Sequence, residues 1–87
     1  MSRAVKIVVN ALIEDMRNNP KDYRCGEHTL DNTETGMQYW VSNGFPFAAI
    51  YAPYKLSFGW WHGWRFHQAL KAWKAVDMLS TLQEGEG

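Results

Sequence analysis

Cys25-Gly26-Glu27-His28 sets a thiol and an imidazole close together, and His62 and His67 stand further along the chain. Thiolate and imidazole both ligate zinc, so four donors of suitable type exist. The spacing of His62 and His67 turns them well apart on a regular helix, however, and structural zinc sites draw on tighter pairs. The residues therefore read as separate histidines, with no metal and no cofactor. Cys25 beside one of the histidines, with Asp31 orienting the base, could act as a nucleophile. No local signature surrounds it, and an inert small side chain is the better account. Glu27, Asp31 and Glu34 could supply an acid and a base, but they lie in the most polar, turn-like stretch and read as solvated loop acids. Gly59 and Gly63 lack the further glycines, lysine and hydroxyl of a phosphate-binding loop. The expectation is a protein that is not an enzyme.

The tryptophans point elsewhere. All five fall between Trp40 and Trp73, three of them inside Gly59-Trp60-Trp61-His62-Gly63-Trp64-Arg65. A ring this large is rarely fully buried, its N–H needs a partner, and interfaces use it for both reasons. Adjacent tryptophans cannot both point inward on a regular element, so at least one of Trp60, Trp61 and Trp64 is expected at the surface. Arg65 adds a donor fork able to stack or to pair with a carboxylate. Trp60, Trp61, Trp64 and Arg65, with Trp40, Tyr54 and Lys55, are the candidate binding residues. The competing account makes the cluster a satellite core sealing the end of a sheet. The same aromatics with Lys55, Arg65, Lys71 and Lys74 also hold the ingredients of a single-stranded nucleic-acid binder, which is the alternative function.

Net charge is zero, which is low for a salt-sensitive nucleic-acid binder. Its distribution is uneven. From Cys25 to Gly36 the charged side chains are Glu27, Asp31 and Glu34, whereas from Met37 to Val76 they are Lys55, Arg65, Lys71 and Lys74.

Two helices and a sheet must position these residues. Val5, Val8, Val9, Leu12, Ile13 and Met16 recur at the spacing of one helical face, Ser2 can cap it, and Asn18-Asn19-Pro20 can end it, so a helix is expected from about Arg3 to Asn18. From Tyr23 to Phe58 turn signals come at short intervals, with strand-like runs at Met37–Val41, Phe45–Tyr51 and Tyr54–Phe58. Asn43-Gly44 is a strong type I′ hairpin signal, and Pro46 suits an edge strand or a strand start. Alternation puts Met37, Tyr39 and Val41 on one face and Trp40 on the other, away from the main core. After Gly59 the helical period returns: Phe66, Leu70, Trp73, Val76 and Leu79 form a core stripe on a helix from Trp61 or Trp64 to Leu82, with 83–87 as a frayed tail. The fold class is α+β, in the order α-β-β-(β)-α, with three or four antiparallel strands and both helices on one face.

Length and composition agree with a single domain over residues 1–87. Apolar residues at 46% and charged residues at 21% are near globular averages. A single cysteine excludes an internal disulfide, no signal-peptide pattern is present, and the apolar run Phe45–Tyr51 is far too short to span a bilayer. The chain reads as cytoplasmic, without a membrane partner, and as a monomer or small homo-oligomer.

Ser42-Asn43-Gly44-Phe45-Pro46-Phe47 and Phe58-Gly59-Trp60-Trp61-His62-Gly63-Trp64 give the chain, over most of its length, the look of the small early accessory proteins of lytic tailed phages, podoviruses in particular. The resemblance carries no catalytic residue across. It implies a small, rigid, non-enzymatic protein that binds and inhibits a host or defence protein in the host cytoplasm. The expected function is occlusion of such a partner through the aromatic patch.

Overall fold

Val5, Val9, Leu12 and Met16 are all buried on one side of α1, Arg3–Asn18, with Val8 and Ile13 packed beside them. Branched residues at this period gain more from packing than they lose in helix propensity. The computed structural model describes residues 3–43 and 46–86, with side chains as far as Val76; the expected cap Ser2 lies outside them. Pro20 opens a single 3-10 turn, Pro20–Asp22, that delivers the chain to the sheet.

Five antiparallel strands follow in simple meander order: β1 Tyr23–Cys25, β2 Thr29–Asn32, β3 Gln38–Val41, β4 Ala48–Ala52 and β5 Leu56–Ser57. The first hairpin, β1–β2, replaces the turn-like polar stretch read from the sequence. Asp31 is therefore a half-buried strand residue, not a solvated loop acid, while Glu27 and Glu34 are exposed. Register aligns Leu30, Tyr39 and Ile50 across β2, β3 and β4, all buried on the side that α2 covers. Thr29, Trp40, Ala49 and Ser57 form the matching row on the opposite face. Trp40 thus leaves the core, as alternation requires.

Two boundaries differ from expectation for a physical reason. The pairing of Val41 with Ala48 leaves residues 42–47 between β3 and β4, so Asn43-Gly44 is not a two-residue hairpin loop; Gly44 itself lies outside the described residues. Pro46 stands in that loop, before β4, where its missing N–H costs no ladder bond. The helix α2, Gly59–Glu86, starts earlier and ends later than its apolar pattern suggests. Gly59, at φ 77°, makes the reversal out of β5, and Gly63 does not interrupt the helix. Residues 83–86, expected to fray, are helical, and Gly87 lies outside the described residues.

Phe66, Leu70 and Trp73 face the core as their spacing predicts, and the Trp73 indole N–H donates to the Pro20 carbonyl at 2.8 Å. Val76 does not join them. It is 56% exposed and lines an open groove with Met16, Arg17 and Pro20 at the end of α1; Leu79 falls beyond the described side chains. The helices pack on each other, and α2 lies over β4.

A polar network ties α1 to the sheet. The Asp15 carboxylate accepts from the Tyr23 hydroxyl, from Asn19 Nδ2 at 2.8 Å and from Asn32 Nδ2 at 3.4 Å. Burial and the neighbouring Asp15 hold the Tyr23 phenol well above its ordinary range, and burial pushes the Tyr39 phenol up to about 12. Both phenols stay neutral: the Tyr23 hydroxyl donates to Asp15, and the Tyr39 ring packs in the core.

Candidate functional site

On a helix whose inward residues are His62, Phe66, Leu70 and Trp73, positions 60, 61 and 64 must turn away from the sheet. Trp60 is 59% exposed, Trp61 48% and Trp64 42%. Trp61 and Trp64, three residues apart, stack with centroids 5.3 Å apart and planes 15° from parallel. The stack shields part of each ring and holds both in one orientation, so little side-chain entropy remains to be lost when a partner binds. The cluster is a surface feature and not a satellite core.

The neighbouring loop adds an aromatic that the sequence did not single out. A Cβ on Gly63 would lie 2.1 Å from the Pro46 carbonyl oxygen and 3.2 Å from the Phe47 Cα, so the loop backbone presses directly on this turn of α2. Phe47 is 45% exposed, and its backbone lies against the turn of α2 that carries Gly63. Ser42 Oγ donates to Phe47 O at 2.6 Å, and His67 has Nε2 at 3.2 Å from Ser42 O and Nδ1 at 2.9 Å from Gly63 O, which pins the loop to the helix. The one sequence signal was a glycine inside an otherwise helical pattern, which often marks close backbone approach.

The remaining candidates lie elsewhere. The Arg65 guanidinium is already engaged: Nη2 donates to Asn10 Oδ1 at 2.6 Å and Nη1 to His62 Nδ1 at 3.1 Å, so its fork bridges α2 to α1. Trp40 and Lys55 line the outer face of the sheet, on the far side of the core from α2, and Tyr54 sits in the β4–β5 turn. The seven candidates therefore do not form one surface.

Cys25 and the histidines are also dispersed. Cys25 faces the core from β1, exposed His28 pairs with Glu27 at 3.7 Å, His62 lies between the helices, and His67 holds the loop. Among the described residues no group of three His, Cys, Asp or Glu side chains could hold a metal ion.

His62 is 6% exposed, and burial, then Arg65 and Lys6, lower its pKa below the usual imidazole value; His67 is lowered by burial, then by Lys71 and Lys74. Protonating His62 at Nδ1 would destroy the bond from Arg65 and set two cations side by side. The unfolded chain takes up that proton near pH 6.5 and the folded chain resists it, so stability is retained above this pH and falls as pH drops below it. Melting followed from neutral pH downward should show this acid limb, and His62→Gln should flatten it. A pH-independent melting temperature across that window would contradict the placement of His62.

No protein-family profile matches the chain, and no curated protein or solved structure is significantly similar to it.

Proposed function

We infer that this chain is a non-enzymatic protein-binding module that occludes a partner protein through Trp60, Trp61, Trp64 and Phe47. The observation that carries the reading is the exposure of three tryptophans at the start of α2, two of them pre-stacked, with exposed Phe47 in the loop whose backbone packs on Gly63. Contiguous exposed aromatics on a small domain mark interaction sites, and rigid tryptophans are the residues on which binding energy concentrates. The flanking charges suit a partner of acidic or neutral surface, since from Gly59 to Val76 the helix carries Arg65, Lys71 and Lys74 and no carboxylate. The resemblance to early accessory proteins of tailed phages directs the reading to a host or defence protein, met in the cytoplasm of an infected cell. Among the described residues no helix is long and apolar enough to cross a membrane.

A pull-down from bacterial lysate tests it, run with and without nuclease and with the variants Trp61→Ala and Trp64→Ala. Each substitution should cost about 2 kcal/mol or more of partner affinity. Both variants should remain folded, because neither ring belongs to the core. A partner that survives nuclease and is lost with either variant is the expected result. Retention of the same proteins by wild type and both variants would sink the reading, and so would unfolding of both variants.

A further inference from the structure

We propose that the outer face of the sheet binds single-stranded RNA, at a site separate from the tryptophan face of α2. Both helices cover one side of the sheet only. The other side carries the row Thr29, Trp40, Ala49 and Ser57 across β2 to β5, and the row Arg24, Asp31 and Gln38 across β1 to β3. Trp40 is 44% exposed and Tyr51 40%, and both line a shallow groove with Lys55. Tyr51 lies two residues along β4 from Ala49, the partner of Trp40, so the two rings are diagonal neighbours on adjacent strands. The small Ala49 beside Trp40 leaves the floor between them open.

Rigid aromatic rings on an open sheet are platforms on which unpaired bases stack, whatever their identity. Phosphates need cations, and this face supplies two: Lys55 in the groove and exposed Arg24 on β1. Among the described residues neither is held in an ion pair, although Arg24 stands directly opposite Asp31, the one carboxylate of the two rows. Around the rings stand Thr29, Ser57 and Gln38, whose polar groups suit hydrogen bonding with a sugar–phosphate chain. Thr29 and Ser57 stand at the two ends of the row that holds Trp40, and their hydroxyls are of the type that would bond the ribose 2′-hydroxyl, which RNA has and DNA lacks.

The test is fluorescence anisotropy of an end-labelled uridine oligonucleotide of roughly ten nucleotides, a length within the usual span of one stacking platform. With the full chain, saturable binding is expected at low salt. Trp40→Ala and Tyr51→Ala should each weaken it about five-fold or more, through loss of a stacked base. Trp40→Phe should largely restore it, and Trp61→Ala, on the opposite side of the molecule, should leave it unchanged. Two phosphate contacts imply a drop of about seven-fold between roughly 50 and 200 mM salt. The deoxy oligonucleotide of matching sequence should bind more weakly. Absence of binding at low salt overturns the proposal, as does loss with Trp61→Ala in place of Trp40→Ala, or equal affinity for the deoxy strand. Absence of RNA binding, or equal affinity for the deoxy strand, leaves protein capture by the tryptophan face untouched, whereas loss with Trp61→Ala would place RNA on that face.

Discussion

Phe66→Ala is expected to cost about 3–5 kcal/mol, the range for emptying a large aromatic site in a packed core. Phe66 is completely buried, meets Phe58 edge-on at 5.7 Å and leans on Tyr39 at 6.4 Å, so one ring joins α2 to β3 and to the strand-to-helix junction. The hole cannot collapse cheaply. Its walls are the sheet on one side and the α1–α2 pair on the other, and both are held by further contacts. Small domains have a total stability of only about 5–15 kcal/mol, so the variant should be largely unfolded at moderate denaturant concentrations where the wild type is native. Urea titration followed by circular dichroism measures this. A loss below about 1 kcal/mol would show that the core is not centred on Phe66.

Gly63→Ala should be destabilising by roughly 2 kcal/mol, opposite in sign to the gain of about 1 kcal/mol that alanine brings to a free helical position. The added methyl meets the Pro46 carbonyl oxygen at 2.1 Å, with Pro46 C at 3.1 Å and Phe47 Cα at 3.2 Å. All three are backbone atoms, so no rotamer change relieves the overlap, and the loop is tied down through Ser42 and His67. Either the loop lifts or α2 shifts. Lifting the loop moves Phe47 relative to the turn of α2 that carries the tryptophans, so partner affinity should fall although no aromatic residue has been altered. Gly36→Ala is the useful contrast: its Cβ would meet nothing within 4 Å, and its cost comes from a φ of 79° alone. A more stable Gly63→Ala protein would mean that the loop does not press on the helix.

Much of the helical layer was legible in the residues. Val5, Val9, Leu12 and Met16 repeat over about three turns, and Phe66, Leu70 and Trp73 over about two, so the period accumulates enough signal to assign both the element and its buried side. Short strands offer no such accumulation. Tyr23–Cys25 and Thr29–Asn32 are three and four residues long and place Arg24, Thr29 and Asp31 on the open face, so by residue type alone they resemble a polar turn. What holds that hairpin is remote: Leu30 against Tyr39 in the next strand, and Tyr23 and Asn32 against Asp15 of α1.

The two helices, the α+β class, the outward turn of Trp40, and the need for some of Trp60, Trp61 and Trp64 to reach the surface can all be read from residue order. These follow from local periodicity, which sets the direction of each side chain relative to its own backbone. Tertiary structure alone decided which exposed residues share a surface. It packed the loop that carries Phe47 against α2 at Gly63, spent the Arg65 fork on Asn10 and His62, and put Trp40 and Lys55 on the far side of the sheet. Neighbourhood across elements depends on how helix, loop and sheet pack, and residues distant in the chain carry no periodic signal of that packing.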